Sequence, residues 1–157
     1  MFNVTQRRVL AADPDAVWAV LADFGAISAW ADNVDHSCVL RSAGEPLAPG
    51  TTRRVQVGRT TLLEHVAEVE PPTVLAYDLD GLPKIVRSAR SRWALEPAPQ
   101  GGTRVSLTTR IDCGPRPPQQ VAARIVGRVL GSSAATLLDG LAGAVDRAHA
   151  HDGGMSR

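Results

Sequence analysis

The side chains able to do chemistry in this 157-residue chain are few and scattered. His36, Arg53, Glu64, Tyr77, Ser91 and Trp93 fall in short alternating segments, where every second residue shares a face. Glu64 stands in an apolar run, so burying it requires a partner, and Arg53 in the preceding segment is the obvious one. Such a pair is either a structural ion pair or a device that orients a polar ligand. The parity of its segment leaves open whether Glu64 or His65 points inward. His36 shares its parity with Val34, Cys38 and Leu40, which puts it on the apolar side, as a packed histidine or as a group that meets a ligand. Tyr77 and Trp93 offer aromatic area with a polar tip, suited to core packing or to stacking on a planar ligand.

No nucleophile–base signature accompanies them: there is no G-x-S-x-G, no phosphate-binding glycine loop and no H-E-x-x-H. Cys38 and Cys113 are far apart, fit no metal spacing and are expected as free thiols. His149 and His151 belong to a solvated end. No metal and no cofactor is expected. A net charge of +1 gives no bulk attraction to nucleic acid or to an anionic membrane. No window reads as a membrane span, and the first ten residues lack the basic-then-apolar order of a signal peptide. A cytoplasmic monomer or homodimer is the expectation.

The elements that must position these residues follow from pattern. Phe2 to Leu10 alternates and reads as a strand. Asp13 is a good N-cap and Pro14 a good first helical residue, so a short helix starts there. Val17, Trp18, Leu21 and Phe24 make its apolar face, Gly25 is expected to end it in a left-handed conformation, and a second short turn ends on Trp30. Six further strands are expected over 34–41, 51–57, 60–70, 73–79, 85–96 and 103–113, with a hairpin at Gly58-Arg59 and a bulge near Ala67. Arg87, Ser91 and Trp93 share a parity, unless a slipped register turns Ser88 and Arg90 inward. Prolines 115, 117 and 118 start a long helix to about residue 149, with a stripe of Val121, Ile125, Val129, Leu137, Leu138, Leu141 and Val145. Gly131-Ser132-Ser133 could bend it, and 151–157 is expected to be a disordered tail.

A meander of antiparallel strands ending in one long amphipathic helix buries itself by curling the sheet around the helix. Such an α+β domain, expected over 1–150, leaves a pocket between the two. The order of elements, together with Pro14-x-x-Val17-Trp18-x-x-Leu21-x-Asp23-Phe24, Gly50-Thr51-x-Arg53, Glu64-His65-Val66, Pro71-Pro72-x-x-Leu75-x-Tyr77 and Trp93-x-Leu95-x-Pro97, resembles the START-like superfamily of polyketide cyclases, dehydrases and lipid carriers. The resemblance implies the helix-grip fold: a curved seven-stranded antiparallel sheet wrapped around a long C-terminal helix, with two short helices after the first strand.

It also implies a ligand cavity, with Trp30, His36, Arg53, Val55, Glu64, Tyr77, Ser91, Trp93, Leu137 and Leu141 as its expected ligand-binding residues. The partner so implied is a hydrophobic small molecule, such as a lipid, isoprenoid or polyketide, held without reaction. The alternatives are a cyclase or aromatase using Arg53, Glu64, Tyr77 and His36 for proton transfer, and a protein-interaction module whose cavity has collapsed.

Overall fold

A computed structural model describes residues 1–45 and 47–154. Strand β1 (Phe2–Leu10) is followed by helix α1 (Pro14–Ala22) and a 3₁₀ helix (Phe24–Ala29). Five strands come next: β2 (His36–Arg41), β3 (Thr52–Val57), β4 (Thr60–Glu70), β5 (Val74–Asp80) and β6 (Ser88–Pro97). Strand β7 (Thr103–Asp112) and helix α2 (Pro117–Gly154) follow. The strands form one antiparallel sheet in the order β1-β7-β6-β5-β4-β3-β2. Consecutive strands are neighbours throughout, except that β1 closes onto β7. This is the expected helix-grip arrangement.

Local chemistry accounts for the elements. The Asp13 carboxylate accepts from the Ala16 N–H at 2.9 Å, one of the free donors of the first turn of α1. Val17, Trp18 and Leu21 of α1 are buried, as are Phe24 and Ile27 of the 3₁₀ helix. Gly25 does not end α1. The helix stops at Ala22, and Gly25 sits inside the 3₁₀ helix with an ordinary backbone, where a β-carbon would lie 2.8 Å from the Val39 side chain. Its smallness serves the approach of β2. Gly58 takes the positive φ of +59° that its hairpin needs. The register of β4 against β5 shifts between Val66 and Glu68, a bulge around Ala67.

Helix α2 packs on β1, β7 and α1. Small residues let it approach: a β-carbon on Gly127 would collide with the Phe2 ring, and one on Gly131 would lie 2.8 Å from Val4. Further along, Ala134, Leu138, Leu141, Ala142 and Val145 enter the core beside Trp18, Trp30 and Trp93. Burial of each large apolar side chain there contributes about 1.5–3 kcal/mol. By length and composition α2 is apolar enough to cross a membrane, contrary to the sequence reading, but its packing makes it the core helix of this fold.

The expected stripe is half wrong. Val121, Ile125 and Val129 are exposed, because the Gly127–Gly131 face of the helix turns to the sheet. Two residues advance a helix by roughly 200°, so Ile125 stands opposite Gly127. The helix assignment is unbroken through 131–133 and runs on through 151–154, where the tail was expected. The side chains of His149 and His151, and residues 155–157, lie outside the described residues.

Candidate functional site

Between the helix-facing side of the sheet and the middle of α2 lies a cavity of about 230 Å3. Strands β3 and β4 contribute Val55, Val57, Thr60, Leu62 and Glu64. Strands β5 to β7 add Tyr77, Leu79, Ser91, Leu107 and Thr109. Helix α2 covers them with Val129, Leu130, Ser133, Ala134 and Leu137. Ile27, Asn33 and Val34 close one side, and Leu82 from the β5–β6 loop another. The walls are mostly apolar, with a small set of polar groups at fixed places, as in a small-molecule site.

Register decides which polar groups these are. Tyr77 pairs with Ser91, and Ser91 with Thr109, so three hydroxyl side chains form one row across β5, β6 and β7. The Ser91 and Thr109 hydroxyls are 3.2 Å apart. One strand over, Arg53 pairs with Glu64. Nε and Nη2 of Arg53 each lie 3.4 Å from a Glu64 carboxylate oxygen, and Nη1 donates to the Phe24 carbonyl at 2.8 Å. The guanidinium carbon is 3.8 Å from the centroid of the Phe24 ring and 4.9 Å from that of Tyr77.

Arg53 is therefore 3% exposed yet fully engaged: an ion pair, a carbonyl and two aromatic faces hold it. It stands outside the cavity wall and neutralises from behind Glu64, the one charged group of that wall among the described residues. The Tyr77 hydroxyl accepts from the Trp93 indole N–H at 3.1 Å. Burial first, and the nearby Glu64 charge second, push the Tyr77 phenol well above the usual tyrosine range. It is a neutral hydrogen-bonding group at any physiological pH.

Of the residues the sequence singled out, Val55, Glu64, Tyr77, Ser91 and Leu137 line the cavity. Glu64, not His65, points inward; His65 turns to the other face and meets the Thr52 hydroxyl at 2.9 Å. In β6 the inward set is Ala89, Ser91, Trp93 and Leu95, while Arg87 precedes the strand and Arg90 faces out to Asp78. Trp93 and Leu141 are core residues outside the cavity wall. Trp30 does not reach it either. Its ring packs edge-on to Trp93 at 6.5 Å, and it borders a separate surface groove between α1 and the end of α2.

His36 is a correction. It is exposed, and its cross-strand neighbour is Gln56. The inward position is Ser37, opposite Val55, whose hydroxyl donates to the Gly25 carbonyl at 2.7 Å. The apolar parity of Val34, Cys38 and Leu40 misled because β2 is an edge strand whose outer face keeps Leu40 55% exposed. Thr109, Asn33 and Ser133 line the cavity but were not singled out. Thr109 was visible in principle, since it shares the parity of Leu107 and Ile111. Asn33 and Leu82 sit in irregular segments that carry no periodicity.

Sheet, helix and the cavity between them together define a START-like, helix-grip protein. The model of the family described as polyketide cyclase / dehydrase and lipid transport matches residues 1–146. The chain belongs to that family.

Among solved structures it is similar to the Zhui aromatase/cyclase from Streptomyces sp. R1128, at 20% identity and a TM-score of 0.76, over 93% of this chain and 94% of that one. A Thermobifida fusca protein gives 27% identity and a TM-score of 0.76, over 94% and 95%. A START superfamily protein from Mycobacterium smegmatis gives 14% and 0.71, over 92% and 97%. No curated protein matches.

Proposed function

We propose that the cavity binds an apolar small molecule that carries one hydrogen-bond donor, seated on the Glu64 carboxylate. The observation that carries this reading is the position of Glu64: 5% exposed, in an otherwise uncharged wall, with its countercharge outside the cavity. A ligand donor there replaces water at a fixed acceptor, while Val55, Leu62, Leu79 and Leu137 remove its apolar body from water. The row of Thr109, Ser91 and Tyr77 hydroxyls offers further polar contacts to an oxygen-bearing ligand.

The test is native mass spectrometry of protein purified from its host, compared with Leu137→Trp, which fills the cavity, and Glu64→Gln, which keeps the shape and removes the charge. A small molecule retained by the wild type and lost from Leu137→Trp supports the reading. Retention by both excludes this cavity as its site.

A cyclase or aromatase is the second reading. It is favoured by the family's description and by one arrangement, a carboxylate and a neutral phenol in the same cavity wall. In that reading Glu64 accepts a proton from a bound chain and the Tyr77 hydroxyl supports the developing oxyanion. Turnover of a reactive polyketide chain that falls at least a hundredfold in both Glu64→Gln and Tyr77→Phe supports it, the low end of what acid–base groups contribute being about that size. Binding without product is the carrier's result.

A further inference from the structure

One half of α2 carries an apolar face that no described part of the chain covers. Val121, Ile125 and Val129 recur every four residues and are 54%, 60% and 63% exposed. At about 100° per residue they form a single stripe. On its cavity side Ala122, Val126 and Leu130 pack against the same small core of Ala89, Ile111, Cys113 and Ala123 as Leu82 and Val86 of the β5–β6 loop, and Ile85 of that loop is 50% exposed. Val129 is both exposed and part of the cavity wall, so the cavity opens beside the stripe.

Cations predominate around this face. Arg124 and Arg128 edge the stripe on the side away from the loop, and Lys84 and Arg87 flank Ile85. All four are exposed, and none is in an ion pair among the described residues. From Gly114 to Leu138 the chain has no carboxylate. The nearby acids Asp80 and Asp112 each accept a backbone N–H, from Gly81 and Gly114. A net charge of +1 therefore conceals a cationic, apolar-tipped face at the cavity mouth.

We infer that this face docks on an anionic lipid surface, with Val121, Ile125, Val129 and Ile85 in the headgroup–acyl boundary and Arg124, Arg128, Lys84 and Arg87 on lipid phosphates and carboxylates. A helix with apolar tips flanked by cations is the pattern that lies in such an interface. Pairing with a second copy is disfavoured, because a two-fold contact along the stripe sets Arg124 and Arg128 of one chain against those of the other. A fluid surface also needs no groove complementary to a convex helix, as a folded partner does. In this orientation the cavity opens toward lipid, and an apolar ligand passes between the two without crossing water.

The test is co-sedimentation with phosphatidylcholine vesicles, with and without roughly one third phosphatidylserine, at low and high salt. Binding is expected only with phosphatidylserine and is lost at high salt. Arg124→Ala with Arg128→Ala weakens it on the order of thirtyfold, each cation near such a surface being worth about fivefold. Val121→Ser with Ile125→Ser weakens it on the order of tenfold, whereas Val9→Ser, an exposed change on β1, leaves it unaltered. These positions are exposed, so the variants fold, and circular dichroism melts check that they do.

Equal binding to both vesicles, or no binding to either, overturns the inference. So does a wild-type dimer that Val121→Ser with Ile125→Ser converts to monomer without any vesicle binding, which makes the face a contact between copies. The readout needs no cavity ligand, so its failure leaves the cavity reading standing.

Discussion

Past Ser133, α2 buries Ala134, Leu138, Leu141, Ala142 and Val145 against the sheet, α1 and the tryptophans. Before it, Val121, Ile125 and Val129 of the same helix stand in solvent. The two halves have similarly apolar sequences and opposite surroundings. In the second half a β-carbon on Gly140 would collide with the Trp30 carbonyl, so the helix meets the residue that ends the 3₁₀ segment backbone to backbone with nothing between them. In the first half the helix rests on β1 through two glycines and leaves Val121, Ile125 and Val129 outward. The difference teaches that one end of the molecule is closed by packing and the other left open beside a cavity.

The comparison can be broken most directly by large truncations at each end. Trp30→Ala is expected to lower stability by about 3–5 kcal/mol in urea melts, because it empties a site packed on Trp93. Val129→Ala should stay within about 0.5 kcal/mol, as for exposed sites generally. Similar losses at both positions would mean that the open end is packed in solution. Arg53 comes next, since it ties the closed end, through the Phe24 carbonyl, to the cavity wall at Glu64. Arg53→Met strands a buried carboxylate and should cost about 3 kcal/mol or more, and Arg53→Met with Glu64→Leu should recover most of that. If the double variant is no better than the single, the ion pair is not what holds the site.

Glycine substitutions sharpen the contrast further. Gly140→Ala should lose about 2 kcal/mol to overpacking against backbone that cannot yield. Gly143→Ala meets only the flexible tip of Arg147, at 3.3 Å, and should be neutral or gain up to about 1 kcal/mol from helix propensity.

The smallest effect is a pH dependence. Tyr77 is the chain's one tyrosine, and its phenol titrates above the ordinary value near 10 in the folded state. Above about pH 10 the unfolded chain has lost that proton and the folded chain retains it, so stability is full below this pH and falls above it. The slope is at most about 1.4 kcal/mol per pH unit for one group. Cys113, whose thiol burial also pushes up, acts in the same direction. Phenolate absorbance should therefore appear only as the protein unfolds, and Tyr77→Phe should flatten the alkaline limb. Ionisation of Tyr77 in the folded protein near pH 10 would show that the cavity admits bulk water to it.

The fold was largely legible because its signals are local: alternation in β4, β6 and β7, turn glycines, and the Asp13 cap. The candidate site was legible in part, on the interior strands of the sheet. Val55, Glu64, Tyr77 and Ser91 all reach the cavity, but the sequence left the inward face of β4 and β6 open, and only the pairing of Arg53 with Glu64 and of Tyr77 with Ser91 selects Glu64 over His65 and Ser91 over Arg90. His36 failed because an edge strand keeps apolar residues on its outer face, so parity there carries no inside and outside. The stripe of α2 failed because three sides of its first half are apolar, and only the approach to Phe2 and Val4 selects the glycine side. Asn33 and Leu82 reach the cavity from irregular segments, whose course depends on contacts distant in sequence.

The closure of β1 on β7 has a further consequence, in the order of events during folding. Strands β2 to β6 are joined by successive connections and can pair as soon as each neighbour exists. The first nine-residue strand must wait for Thr103–Asp112, roughly a hundred residues later. Helix α2 cannot dock before that, because it packs on β1. During synthesis β1 therefore stays without this partner until β7 has been made. Pairing β1 with β7 closes a long loop, an entropic cost of the kind that slows folding, and until then β1 offers an open strand edge.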